Sequence, residues 1–395
     1  MLKLFQSKKL RGALITAALL ISALALIAAP GEAMEGAKEG LQLCFNVIVP
    51  SLFPFFVLSS LVVDLGLAAK LGQFMERFMR PLFRVGGSCA AAMALGFIGG
   101  YPVGARTALQ LYEQGLCTKT EAERLLAFCN NSGPAFILGV VGAGIFGDGR
   151  VGLLLYLTHA AASVLVGLIF RFHGQDSKTP PSRRAKPIET VTLPAAFTSA
   201  ITRALQSTLN ICAFVVFFSV VLRLLTAYGI LGAVANLLSL LGLEEEWARR
   251  LVAGLLELSS GVSSLSGGRG FVGLASMAAF MLGWAGLSVH CQVLSFLVDS
   301  GLSARVYIAG KFCHGLLAAA LTWLLARLVP MEAPVLFYLV EQSETLAHLD
   351  FSSALTASVG AALVVGLLFG LLCLGKKGGN LSRNPLYYKK SRKLE

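Results

Sequence analysis

The chain has 395 residues, 56% hydrophobic and 14% charged, with a mean hydropathy of +0.74, against about 25% charged in an ordinary soluble domain. Runs of roughly 18 or more uncharged residues, enough to cross a bilayer core as helix, recur along it; a soluble enzyme, a disulfide-stapled secreted module and a disordered chain are excluded. The net charge of +12 does not point to nucleic acid, because 21 of the 33 basic residues sit in clusters beside apolar segments, as in cytoplasmic loops, with no groove-reading module.

In chain order, Lys3, Lys8, Lys9 and Arg11 precede an apolar run at 12–29. It reads as a retained signal-anchor span, with a cleaved signal peptide as the alternative. Residues 1–40 then end in an outside loop holding Glu32, Glu35 and Glu39. Repeat one, 41–172, begins with a span over 43–65 that returns inside at Lys70. Three apolar segments follow, 86–111, 125–146 and 151–170, between two inside-facing loops, so one of them does not cross. The Gly-rich 86–111 is the candidate re-entrant loop or broken hairpin. A basic, Pro-rich cytoplasmic linker at 173–200 divides the chain. Repeat two, 201–330, has a span at 201–228, a loop with Glu244, Glu245 and Glu246, and a Gly/Ser-rich, re-entrant 251–268. Spans at 271–298 and 306–328 complete it. An acidic outside loop (331–350, with Glu332, Glu341, Glu344 and Asp350) leads to a last span at 351–375 and a basic tail at 376–395. The expected fold is all-α and polytopic, with about eight transmembrane helices plus two re-entrant or broken-helix segments, and with both termini cytoplasmic.

The two halves repeat. Arg150 and His159 are nine apart, as are Arg305 and His314; the Phe55/Gly66 spacing recurs as Phe218/Gly229; and Gly/Ser-rich 96–104 lies opposite 257–264. Repeat one begins outside and repeat two inside, which makes this an inverted-topology repeat of the kind found in secondary transporters.

Three stretches carry the chemistry. In Gly99-Gly100-Tyr101-Pro102-Val103-Gly104-Ala105-Arg106, glycines and a proline break the helix at Gly99, Gly100, Pro102 and Gly104 and free backbone groups. Arg106 is costly in lipid and is read as an anion contact, or as a snorkelling helix-end arginine. Asn130-Asn131-Ser132-Gly133-Pro134 places two amides and a hydroxyl beside a helix stop at Gly133 and Pro134. A half-helix starting there would suit a carboxylate, although Asn and Ser also serve as interhelical glue. In the segment from Glu257 to Gly268, Ser259 and Ser260 are candidate substrate donors and Gly261 a helix break. Glu257 is either a coupling carboxylate or the partner of Arg106 or Arg269. Lys311 and His314 lie three apart on one helix face. Lys311 reads as an anion partner or a counter-ion to Glu257, and His314 as a second coupling candidate. His290-Cys291 and Cys313-His314 lack metal-ligand spacing, so no metal or other cofactor is expected. The eight cysteines are scattered and include no C-x-x-C pair, so they read as small buried hydrophobes. No Walker A loop, paired carboxylates, H-E-x-x-H or G-x-S-x-G context is present, which argues against ATP hydrolysis and against an enzyme.

The stretch Asn46 to Phe56 with Pro50 and Pro54, the Gly96 to Arg106 segment, and Phe128-Cys129-Asn130-Asn131-Ser132-Gly133-Pro134 together resemble the sporulation integral membrane protein YlbJ (SpoVV) family, part of the nucleoside-recognition Gate group. The resemblance runs from about residue 30 to 375. It implies a multi-pass protein of endospore-forming bacteria that moves dipicolinic acid from the mother cell across the outer forespore membrane. A flat aromatic dianion would suit Arg106 or Lys311, broken-helix N–H groups, and Phe97, Tyr101 or Phe136 against its ring. The expectation is therefore an organic-anion transporter working by alternating access in a lipid bilayer, as a homo-oligomer or beside other sporulation membrane proteins. A nucleoside or other small-solute transporter and a non-transporting scaffold are the alternatives.

Overall fold

The computed structural model describes residues 8–174 and 192–328. Most of the basic linker, the acidic loop 331–350, the span 351–375 and the tail 376–395 lie outside the described residues. The described chain is helical, with no strand among the described residues.

The first helix, α1 (Lys8–Ala28), turns sharply at Ala29 into α2 (Pro30–Leu43); the bent pair meets at 96°. Pro30 suits this corner, since a proline at the first helical position forfeits a donor with no intrahelical partner. The expected outside loop around Glu32 and Glu39 is thus helix. Both carboxylates pair with Arg223, at 3.0 and 3.6 Å. A π-turn, Cys44–Ile48, joins α2 to α3 (Val49–Asp64). Pro50 and Pro54 remove two helix donors here, and the widened turn upstream absorbs the mismatch.

From this point one order of elements occurs twice. Helix α3 ends at Gly66, whose φ of +70° starts the amphipathic α4 (Leu67–Phe83). Two short helices, α5 (Ala90–Gly99) and α6 (Val103–Glu113), fold back on each other as a hairpin. Helix α7 (Lys119–Phe128) starts at a Thr118/Glu121 capping box, which satisfies two of its orphan donors. It breaks over 129–134 and continues as a π-helix, Ala135–Ile145; α8 (Gly149–Phe170) follows. The second half opens with the long α9 (Leu193–Ala227), which turns at Gly229 (φ +69°) into α10 (Ile230–Ser239). A second hairpin, α11 (Glu245–Leu256) with α12 (Leu258–Ser263), precedes a second broken helix, α13 (Phe271–Trp284) with α14 (Gly286–Leu297). The long α15 (Ala304–Leu328) is the last described element.

Four described stretches are long and apolar enough to cross a bilayer: Gly149–Phe170, Leu193–Ala227, Phe271–Leu297 and Ala304–Leu328. Counting the bent pairs Gly12–Ala28 with Pro30–Asn46, and Gly72–Phe83 with Gly87–Gly99, raises this to six. Of the expected eight, 351–375 is not described, 125–146 is a broken helix rather than a plain span, and 43–65 is a π-turn followed by a helix too short to count alone, whereas the bent pair Gly72–Phe83 with Gly87–Gly99 is a stretch the sequence reading does not count as a span. Segment 271–298 is likewise interrupted, at Ala285, where the sequence reading has it continuous. Exposed apolar side chains such as Phe217 on α9, and Phe312 and Leu316 on α15, are what a lipid-facing surface requires.

Helices α8 and α15 pack together through a buried hydrogen bond between the Thr158 and Thr322 hydroxyls, at 2.7 Å. The α13–α15 seam is closed by Gly283 against Gly315, where a Cβ on Gly283 would meet the Gly315 Cα at 2.6 Å. Small residues at such crossings let backbones approach where no aqueous hydrophobic drive operates.

Candidate functional site

Among the described residues, the two hairpin tips and the two helix breaks converge. Gly100, at φ +78°, is the tip of the first hairpin, and a Cβ there would lie 2.8 Å from the Gly133 amide nitrogen. Backbone therefore packs directly on backbone, which only glycine allows. Below the tip, Gly96 and Gly104 seat the Cys129 carbonyl, which a Cβ on either would meet at 1.9 and 2.0 Å. The second half repeats the arrangement. Gly286 (φ +79°) in the α13–α14 break lies against the α11–α12 tip, where its Cβ would be 3.0 Å from the Leu258 nitrogen.

A cavity of about 140 Å³ opens where these breaks meet. Gly99, Gly100, Tyr101, Ser132, Gly133, Glu257 and Ser259 of the sequence-derived set line it, beside Phe55 and Phe136. Ser288 and Gln292, which sequence reasoning missed, line it as well. They stand four apart on one face of α14. No described residue hydrogen-bonds the Ser288 hydroxyl or the Gln292 amide, although both residues are buried, so their polar atoms are left for whatever occupies the cavity. The signal that could have found them is two polar positions at helical spacing after Ala285-Gly286 within an apolar run.

The remaining sequence-derived residues lie elsewhere. Asn130 and Asn131 are fully buried behind the cavity wall. Asn131 Nδ2 donates to the Phe128 carbonyl at 3.0 Å, which ties off the end of α7. Asn130 Nδ2 reaches the Tyr307 hydroxyl at 3.5 Å, and both amide oxygens lack partners. The backbone N–H groups of Ser259 and Ser260 donate to the Glu257 carboxylate at 3.0 and 2.7 Å. Glu257 thus caps α12 and pairs with neither Arg106 nor Arg269. Gly261 is inside α12, where it seats against Gly254, and Gly104 is in the first turn of α6; neither is the point of a break. Pro102 precedes α6, after a cis Tyr101–Pro102 peptide. Arg106 is not part of the cavity wall; its guanidinium lies over the Phe296 ring at 5.3 Å.

Lys311 is fully buried and does not line the cavity. Its Nζ donates to the Tyr101 hydroxyl at 2.8 Å and the Asn130 carbonyl at 2.9 Å, and lies 3.4 Å from His314 Nδ1. His314 Nε2 donates to the His159 carbonyl at 2.9 Å, which leaves Nδ1 as the acceptor facing Lys311. His159 Nε2 accepts from the Ser132 amide at 3.1 Å. His290 Nδ1 meets the Tyr307 hydroxyl at 3.0 Å. Tyr101 donates onward to the Leu282 carbonyl, so the hairpin tip, the first break, α13 and α15 share one polar network. Among the described residues no three His, Cys, Asp or Glu side chains converge as metal ligands. The arrangement can bind a small solute between apolar rings and neutral donors. Glu257 is the one ionisable acid in its described wall.

Comparison with known proteins follows the same segments. The family described as Gate, nucleoside recognition, matches residues 45–176, from the π-turn through α8. The sporulation integral membrane protein YlbJ of Bacillus subtilis (strain 168) is 30% identical over 339 residues, which cover 80% of this chain and 83% of that protein. A solved structure of a CNTnw variant in its intermediate 3 state has 13% identity and a TM-score of 0.48, and covers 83% of this chain and 89% of that one.

Proposed function

Because this chain belongs to the YlbJ family of sporulation integral membrane proteins, we propose that it is a transporter of a small organic anion, dipicolinic acid. The route is from the mother cell across the outer forespore membrane, with both termini in the cytoplasm. The observation that carries the proposal is the cavity itself, where two hairpin tips and two broken helices meet around unpartnered polar groups. Broken helices at the meeting of two repeats are where secondary transporters hold their solutes. The halves 41–172 and 201–330 act as inverted repeats that rock about this point, giving alternating access.

A flat pyridine ring fits between Tyr101, Phe136 and Phe55, with Ser132, Ser288 and Gln292 as donors to its carboxylates. Lys311 supplies positive charge one hydroxyl behind the wall, through Tyr101. Arg106 is not needed, because it stands apart from the cavity. A second reading, a nucleoside-like neutral solute, is favoured by one observation: Glu257 faces the cavity, and a carboxylate accepts from solute hydroxyls but repels an anion.

The test is uptake by purified protein in proteoliposomes of radiolabelled dipicolinate and, separately, radiolabelled uridine. Saturable dipicolinate uptake that Ser288→Ala and Gln292→Ala variants weaken supports the anion reading. Uridine uptake without dipicolinate uptake moves the assignment to the second reading. Absence of both, under every imposed gradient, sinks transport by this chain alone.

A further inference from the structure

We infer that the Lys311 ammonium is a resident cation, occupying the place at the broken helix where a transporter otherwise binds a mobile monovalent ion, so that this protein works without sodium. The inference rests on the transport reading and concerns the coupling ion of that same site.

The coordination around Lys311 carries it. An ammonium has three donors and no acceptor, and Nζ faces three acceptors: the Asn130 carbonyl, the Tyr101 hydroxyl and His314 Nδ1. They come from three separate elements, namely the break after α7, the tip of the first hairpin, and α15. Among the described residues no carboxylate forms an ion pair with Lys311. Its charge is therefore balanced by oxygen and nitrogen lone pairs and by the carbonyl end of α7, where the helix dipole is negative. Unwound carbonyls and half-helix C-terminal ends are the groups with which broken-helix transporters coordinate sodium. Here a side chain tethered to α15 does the coordinating ion's work. It binds the hairpin tip to the first break permanently, whereas a mobile ion would do so only when loaded.

The experiment uses the full chain in lipid nanodiscs and in proteoliposomes, with sodium chloride, choline chloride and propylammonium chloride at equal ionic strength. Propylammonium replaces the atoms that Lys311→Ala removes. The wild type is expected to have one Tm in sodium and in choline, and equal dipicolinate uptake rates in both. Lys311→Ala is expected to lower Tm by about 5 °C in choline, with recovery in propylammonium or sodium. A wild-type Tm or uptake rate that rises with sodium over choline overturns the inference, as does a Lys311→Met variant that matches wild type in choline. Should Lys311→Ala fail to fold, the wild-type comparison decides alone. If dipicolinate is not taken up at all, the transport reading fails, while the Tm comparison still reports on the cation site.

Discussion

His159 and His314, 155 residues apart, meet with ring centroids 4.3 Å apart and ring planes tilted by 41°, and His314 Nε2 donates to the His159 carbonyl at 2.9 Å. They occupy the same place in the two halves, each nine residues after an arginine that begins a long helix. Equivalent residues of two repeats can touch only close to the axis relating them, so the histidines mark the centre about which the halves are arranged. Ser132 and Lys311 attach to the same pair, so under the proposed alternating-access cycle the break and the Lys311 side chain would lie where displacement is least.

Ser288 and Gln292 give the first prediction. Their side-chain polar groups have no protein partner in the described structure, so truncation leaves nothing newly unsatisfied. Ser288→Ala and Gln292→Ala are expected to keep the wild-type Tm while raising the KM for the transported solute about tenfold, the worth of one hydrogen bond of about 1.4 kcal/mol. Initial-rate uptake with thermal melts on the same preparations checks this. Unchanged KM in both variants would move the binding site away from α14.

Glu257 separates the two solute classes by sign. Glu257→Gln keeps an acceptor for one of the two Ser259 and Ser260 amides, so the loss of stability should stay near that of a weakened cap, about 1 kcal/mol. Removing the negative charge from the cavity wall should tighten binding of a dianion, on the order of tenfold in KM. A neutral solute that uses the carboxylate as acceptor should bind more weakly instead. Competition assays with dipicolinate and uridine against the variant read the direction.

The Gly96/Gly104 seat is a packing prediction. Gly104→Val adds a branched side chain where even the first carbon would lie 2.0 Å from the Cys129 carbonyl oxygen. That oxygen is backbone in the break and has no rotamer to escape into. The variant should lose at least about 3 kcal/mol, seen as a lower Tm and a smaller folded fraction on size exclusion. Gly115→Ala is the matched control: a Cβ there meets nothing within 4 Å, although its φ of +72° carries some strain of its own.

The residues explain which parts of this architecture the sequence displays. Membrane class follows from composition, and the first hairpin tip and first break are legible because glycine and proline cluster at 99–104 and at 133–134. The αL turns at Gly66 and Gly229 sit where the internal repeat puts them. The second break is less marked because it has no proline and no glycine cluster: Ala285 takes a φ of +81° beside the single Gly286 at +79°, and Gly286 packs on the second hairpin tip. Side-chain composition carries no mark of a tertiary contact of that kind. Ser288 and Gln292 stayed hidden with it, since their importance depends on the break that aims α14 at the cavity. Asn130 and Asn131 are polar residues in an apolar run, which marks them without distinguishing a wall-facing amide from one turned inward.

Arg106 shows most clearly how adjacency in sequence differs from adjacency in the site. It follows the Gly99–Gly104 cluster at once, but α6 has already begun at Val103. At about 100° of rotation per residue, its side chain has turned to the α14 face, where it lies over Phe296. An exposed or half-buried cation–π contact contributes about 0.5–1 kcal/mol. Arg106→Ala is therefore expected to lower Tm slightly and to leave KM and maximal uptake near wild type, while Tyr101→Ala, at the tip itself, abolishes uptake. Arg106→Lys should recover the lost stability in part, because the ammonium also sits favourably on the ring. Loss of transport in Arg106→Ala with an unchanged Tm would place the guanidinium on the solute's path and require a cavity that reaches α6 in another state of the cycle.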